Sequence, residues 1–137
     1  MTTGDAIEQL RTEARTAMTR AYAPYSGFKV GAALLCGDGF VAAGCNVENA
    51  SFPAGICAER SALSLAVSHG QRTFTALVIV TDAIDPTPPC GMCRQALAEF
   101  APALRVTSVA LDGREATWSM AQLLPAPFTP QSLPHHA

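Results

Sequence analysis

Positive charge is scarce in this chain. Among 137 residues there is one lysine, Lys29, and the eight arginines are scattered, so no basic stripe exists to neutralise a run of phosphates. Nucleic acid is therefore not an expected partner. Charged residues of both signs reach only 15%, against about 25% in typical soluble domains, and the net charge is −2. No stretch of about 18 consecutive apolar residues is present, which argues against a membrane-spanning helix. The start, Met1-Thr2-Thr3-Gly4-Asp5, has neither the basic residues nor the apolar run of a secretory signal, so a cytoplasmic protein is expected. Aromatic residues are few, with a single tryptophan, Trp118. The cysteines number five, an odd count, and in a reducing compartment they point to metal binding or catalysis rather than to disulfides.

Apolar residues, by contrast, make up 49% of the chain. A length of 137 residues suits a single domain, expected over 1–137 with 128–137 as a loose C-terminal tail. So apolar a chain has surface to hide, which favours an oligomer; its many alanines are the alternative explanation.

The periodicity predicts an amphipathic helix over 5–21, with Ile7, Leu10, Ala14, Ala17, Met18 and Ala21 on one face and Asp5 with Glu8 as a capping box. Phe28–Cys36 and Phe40–Val47, joined by Gly37-Asp38-Gly39, read as a β-hairpin. A loop over 48–56 leads to a helix over Cys57–His69 that stops at Gly70. A buried strand over Phe74–Thr81, a proline-rich loop over 82–89 and a helix over Gly91–Phe100 follow. Strands over Leu104–Leu111 and Arg114–Trp118, and a short helix capped by Ser119, complete the order. The sequence α-β-β-α-β-α-β-β describes a mixed sheet covered by helices, an α/β fold.

The strongest chemical signal is Cys57-Ala58-Glu59 followed by Pro89-Cys90-Gly91-Met92-Cys93. Two thiolates from one helical turn, and a third at the start of another helix, make three ligands with a fourth position open. This is the arrangement of a catalytic zinc site rather than a closed structural one. His69 lies about three turns beyond Cys57, and His135 and His136 are in the tail, so neither region completes a four-ligand site. A redox C-x-x-C pair is the main rival for Cys90 and Cys93, but it has no use for a distant Cys-x-Glu. Cys36 and Cys45 fall in apolar strands and are expected in the core.

Zinc lowers the pKa of a bound water, and a carboxylate beside the metal is then needed to move protons. Glu59, two residues after a ligand, is placed for that. Three thiolates with Zn²⁺ carry a charge of −1, which opposes ionisation of the water. Helix N-termini at the cysteines offset this charge. So would an arginine donating to thiolate sulfur; Arg60 and Arg94 are the candidates, and Arg60 is favoured.

These motifs resemble the zinc deaminases, whose signature includes Cys-x-Glu and Pro-Cys-x-x-Cys. The chain is most similar to the small homotetrameric cytidine deaminases. The stretches that carry the resemblance are Ala23–Leu34 (APYSGFKVGAAL), Gly44–Ala50 (GCNVENA), Gly55–Arg60 (GICAER), Pro89–Gln95 (PCGMCRQ) and Leu123-Leu124-Pro125. The resemblance implies a three-layer α/β/α fold with a five-stranded mixed sheet and one zinc per subunit on Cys57, Cys90 and Cys93. It implies that Asn46 and Glu48 bind the ribose 3′-hydroxyl and that Phe28 packs on the pyrimidine. It further implies that the Ala58 N–H holds the base carbonyl and that Glu59 serves N3 and the leaving amine. A neighbouring subunit would complete the pocket through Phe128 and the 50–55 loop. Two residues depart from the family pattern: Phe52 stands where tyrosine is frequent, and Met92 where a small residue is usual, expected to reshape packing under the metal.

The activity so implied is hydrolysis of cytidine and 2′-deoxycytidine to the uridines and ammonia, in pyrimidine salvage. Two other readings compete. One is a deaminase of a different aminopyrimidine nucleoside, such as a blasticidin-type antibiotic; the other is a non-catalytic, zinc-stabilised oligomer that binds nucleosides.

Overall fold

A computed structural model describes residues 3–134. It is built on a five-stranded sheet of β1 (Val30–Cys36), β2 (Val41–Cys45), β3 (Phe74–Thr81), β4 (Arg105–Val109) and β5 (Glu115–Ser119), in the spatial order β2-β1-β3-β4-β5. β1 is antiparallel to β2 and β3, β3 is parallel to β4, and β4 is antiparallel to β5. The sheet is therefore mixed. The parallel pair needs a crossover, and α3 (Gly91–Phe100) supplies it.

Alternation along the two central strands explains the layers. Ala33 on β1 and Ala76, Val78 and Val80 on β3 face α1 (Thr3–Met18), meeting Leu10 and Ala14. Their neighbours Ala32, Leu34, Leu77 and Ile79 face the other way, against Ala62, Leu63 and Ala66 of α2 (Ala58–Ser68) and Leu97 of α3. Both faces of β1 and β3 are thus buried, which is why the two strands read as continuous apolar runs. Helices on both faces make the expected three-layer α/β/α sandwich. The four-residue α4 (Met120–Leu123) begins at Ser119, which forms a capping box with Gln122.

Two glycines let helices approach the hairpin. A Cβ on Gly31 would come 1.9 Å from the Ala14 carbonyl oxygen of α1, and one on Gly44 would come 2.6 Å from the Ala62 nitrogen of α2. The helices therefore lie nearly on the backbone of β1 and β2.

Some sequence-based boundaries shift. The first helix begins by Thr3 and ends at Met18, so Asp5 lies inside its first turn rather than before it. Thr19, Arg20 and Ala21 donate three residues back to Thr16, Ala17 and Met18 at 3.2, 3.0 and 3.1 Å, tightening the exit and leaving Ala21 outside. Of the tail expected over 128–137, residues 128–134 are described. Phe128 is pinned through its backbone to Gln95, and Pro130–Ser132 forms a 3-10 turn. His135, His136 and Ala137 lie outside the described residues. Among the described residues, no helix is long and apolar enough to cross a membrane.

Candidate active site

The sheet directs the chemistry to one edge. Register pairs Val30 with Thr81 and Gly31 with Cys45, so the start of β1 and the ends of β2 and β3 coincide. The loop after β3 leads to Cys90 and α3, and Cys57 opens α2 at the same edge. This is the carboxyl end of the parallel strands, where open α/β sheets place their ligands.

Cys57 and Cys90 are the N-cap residues of α2 and α3, and neither side chain makes a capping hydrogen bond. Their carbonyls begin the helices, accepting from Ser61 and Arg94 N–H at 2.9 and 3.0 Å, while the sulfurs turn away toward each other. Cys57 Sγ is 3.8 Å from Cys90 Sγ, and Cys90 Sγ is 3.5 Å from Cys93 Sγ. All three sulfurs lie within 4.8 Å of one another. Sulfurs bound tetrahedrally at the usual zinc distance sit about 3.8 Å apart, and disulfide sulfurs about 2.0 Å apart, so the spacing suits a shared ion.

Charge leads to the same ion. Left to themselves Cys57 and Cys93 do not both ionise. Cys57 is held below its ordinary pKa, chiefly as hydrogen-bond acceptor from Cys93 and also from Arg60. Cys93 is pushed up by donating to Cys57 and by burial. A divalent cation removes that conflict and allows three thiolates. Arg60 supplies further positive charge: its Nη2 donates to Cys57 Sγ at 3.6 Å, and its Nε is buried without a hydrogen-bond partner. Arg94 takes no part. Its Nε donates to the Pro89 carbonyl and its Nη1 to the Leu123 carbonyl, both at 2.8 Å, tying α3 to the end of α4.

Glu59, in the first turn of α2, is 6% exposed. Burial pushes its carboxyl up to about 7, with the negative charge of Cys57 adding to the effect and Arg60 opposing it. The carboxyl faces a pocket of about 650 Å³, within the range of small-ligand sites. Cys57, Ala58, Arg60 and Cys90 share that wall. Ala58 is the first residue of α2, so its N–H has no acceptor within the helix and is available to a ligand oxygen.

Phe28, Asn46 and Glu48 also line the pocket. Asn46 is buried. Its Oδ1 accepts from Val30 N–H at 2.9 Å and its Nδ2 donates to the Phe28 carbonyl at 2.8 Å. Glu48 Oε1 accepts from the Tyr25 and Ser26 N–H groups at 3.0 and 3.1 Å, and its Oε2 accepts from the Ser26 hydroxyl. Each keeps a free lone pair or N–H for a ligand. Tyr25, Ser26, Ile56, Thr87 and Pro88 also line the pocket and were given no site role on the sequence. Tyr25 and Ser26 sit in a quoted motif, whereas Thr87 and Pro88 lie in a stretch with no motif at all.

Other expected residues lie elsewhere. Phe128 is 58% exposed and is not part of the pocket wall. Phe52 lines the rim at 75% exposure, edge-on to Tyr25 with ring centroids 6.0 Å apart. Met92 points outward at 64% exposure, so it does not pack beneath the sulfurs, correcting the sequence expectation. Cys36 is buried, Cys45 is half-buried, and His69 caps the far end of α2, stacked on Phe40.

The profile of the family described as "Cytidine and deoxycytidylate deaminase zinc-binding region" matches residues 5–109. The chain belongs to this family. A cytidine deaminase of Sporosarcina psychrophila is 44% identical over 96% of this chain and 97% of its own length. One of Halalkalibacterium halodurans is 46% identical over 92% of this chain and 96% of its own. Among solved structures, the cytidine deaminase of Burkholderia pseudomallei superposes with a TM-score of 0.86 at 44% identity, covering 93% of this chain and all of that one. Members of this deaminase family bind zinc, and the Cys57, Cys90 and Cys93 cluster suits one ion in each subunit.

Proposed function

We propose that this chain deaminates cytidine and 2′-deoxycytidine to uridine and 2′-deoxyuridine, releasing ammonia. The observation that carries the reading is the buried Glu59 carboxyl on a pocket wall that also holds Cys57 and Cys90 of the three-sulfur cluster. The zinc-deaminase family match supports it.

In this reading Cys57, Cys90 and Cys93 would hold zinc, which when bound would lower the pKa of a water in the pocket. Every other step belongs to the protein. Glu59 takes the proton of that water and delivers it to N3 of the cytosine. It then carries a second proton to the exocyclic nitrogen, which leaves as ammonia, while the water's oxygen becomes the new carbonyl of uracil. One carboxyl serves twice. Arg60 offsets the excess negative charge of three thiolates. The Ala58 N–H holds the base carbonyl, and Phe28 packs against the ring.

Asn46 and Glu48 bind the ribose 3′-hydroxyl. A wall that offers these groups to a sugar gives a nucleoside hydrogen bonds that a bare base cannot make. The protein works as a homotetramer of single-domain subunits in the cytoplasm, serving pyrimidine salvage. The apolar composition and the exposed Phe52 and Phe128 support an assembly in which Phe128 and the 50–55 loop reach a neighbour's site.

The test is the ultraviolet absorbance of cytidine over time with zinc-replete protein, with ammonia measured in parallel. Loss of the cytosine band with equimolar ammonia establishes the activity. A folded, zinc-bound protein that leaves cytidine intact sinks it and favours another aminopyrimidine nucleoside or a binding role.

A further inference from the structure

The loop between α1 and β1 is folded around the segment after β2. It is fastened at Tyr22 by two backbone bonds: Tyr22 N–H donates to the Asn46 carbonyl at 3.0 Å, and Glu48 N–H to the Tyr22 carbonyl at 2.8 Å. Beyond Tyr22, one side chain joins the two elements that grip a nucleoside. The Ser26 hydroxyl donates its proton to Glu48 Oε2, and the same oxygen accepts from Phe28 N–H at 3.0 Å. Ser26 N–H holds the other carboxylate oxygen at 3.1 Å.

The bond from Phe28 N–H alone is ordinary turn chemistry, a serine hydroxyl accepting two residues on. The donated proton is not part of that turn. It makes a charge-assisted bond to a residue 22 positions away in sequence, and such bonds are shorter and stronger than neutral ones. A serine hydroxyl has one proton and two lone pairs, so both polar partners are satisfied at once. The Glu48 carboxylate and the Phe28 backbone are thereby fixed relative to each other through one oxygen. Glu48 still has a lone pair to offer, and its direction is set by the bonds that Ser26 and Tyr25 make.

Accepting the deaminase reading above, we infer that Ser26 is a positioning residue for nucleoside recognition: it aims the Glu48 carboxylate at the sugar and couples it to the seat of Phe28 under the base. Ser26 itself touches no reacting atom. Its contribution is to binding geometry, so it acts on KM and on sugar discrimination far more than on the proton transfers of Glu59. Phe28 and Glu48 grip opposite ends of a nucleoside, and fixing their separation favours ligands in which base and sugar are joined.

The experiment compares wild type, Ser26→Ala and Ser26→Thr, all zinc-replete and matched for zinc content and Tm, on cytidine and on 3′-deoxycytidine. For Ser26→Ala the expected result is a KM for cytidine raised about tenfold, the scale of one lost charge-assisted bond, with a much smaller fall in kcat. The penalty for lacking the 3′-hydroxyl should shrink, because an unaimed carboxylate discriminates less. Ser26→Thr, which keeps the hydroxyl, should restore both. A merely structural role would lower activity on the two substrates in parallel, leave the penalty unchanged and so overturn the inference. Equal KM values for wild type and Ser26→Ala would overturn it also. A zinc-bound wild type inert toward cytidine overturns the deaminase reading and this inference with it. A working wild type with an unaltered Ser26→Ala overturns the inference alone.

Discussion

Gln95 and Phe128 are bonded to each other twice, side chain to backbone. The Gln95 Nε2 donates to the Phe128 carbonyl at 2.8 Å, and Phe128 N–H donates to Gln95 Oε1 at 3.0 Å. Gln95 sits two residues after Cys93 on α3, and its neighbour Arg94 holds the Leu123 carbonyl. The helix that presents two of the three sulfurs therefore also carries the C-terminal segment. Gln95→Ala removes both bonds, each worth about 1 kcal/mol net and less at an exposed site. A loss of about 1 kcal/mol and a Tm lower by about 2–4 °C are expected. Faster amide exchange over 124–133 at unchanged zinc content checks it; unchanged exchange contradicts the clasp.

Glu59→Gln keeps the shape of the buried side chain and removes its ability to carry protons. Activity on cytidine is expected to fall by more than the roughly 10²–10⁴ of a group that acts once, because in the proposed mechanism Glu59 serves both proton transfers. Zinc content is expected to stay stoichiometric, since Glu59 lies outside the three-sulfur cluster. Stability does not fall, because burial opposes the charge that the substitution removes. Steady-state kinetics beside metal analysis decides it, and a rate near wild type removes Glu59 from the mechanism.

Removing a ligand or the ion acts on the fold as well as on the chemistry. Cys90→Ala is expected to lose bound zinc, measured by atomic absorption. Chelation of the wild type is expected to lower its Tm by an amount that depends on free zinc, since stabilisation by a bound ion grows with its concentration above Kd, about 4 kcal/mol at a thousandfold excess. Stoichiometric zinc in Cys90→Ala contradicts the ligand set.

The carboxyl of Glu48 is held below its ordinary value of 4.5, first by the Ser26 hydroxyl and then by the Ser26 and Tyr25 N–H groups. A depressed carboxyl in the folded state contributes stability that is complete above 4.5 and lost as pH falls through the lower folded value. Carbon NMR of the Glu48 carboxyl is expected to give a midpoint below 4.5, and Ser26→Ala to raise it toward that value. The NMR titration is preferred to activity because acid also protonates the cysteines and displaces metal. A midpoint at 4.5 or above in the wild type contradicts the bonding found.

How far the sequence could be read depended on whether each signal was local. Cys57, Cys90 and Cys93 stand out because C-x-x-C and Cys-x-Glu are short patterns, each inside one helical turn. Phe74–Thr81 and Gly91–Phe100 match the structure residue for residue because loop and proline signals bound a buried run and a helix. Arg60 and Arg94 looked alike in sequence, yet Arg60 lies three residues after Cys57 on the same helix face and reaches its sulfur. Arg94 is captured by carbonyls of Pro89 and Leu123, the latter 29 residues away, and no local pattern foretells that. Met92, between Cys90 and Cys93, faces outward because its helix turns Cys93 inward and leaves Met92 on the other side. The Ser26 to Glu48 bond was hidden for the same reason as the Arg94 bonds: it joins distant segments that only the sheet register brings together.

The spacing of the three sulfurs has a further consequence, in redox terms. An ion that occupies all three also shields them from one another. Once it is removed in air, Cys90, exposed and 3.8 Å from Cys57 and 3.5 Å from Cys93, has a partner for disulfide formation on either side. Oxidation of one pair leaves a single thiol, too few to rebuild the site. Metal-depleted protein is therefore expected to regain zinc only if it has been kept reduced, so the bound ion also preserves the site that holds it.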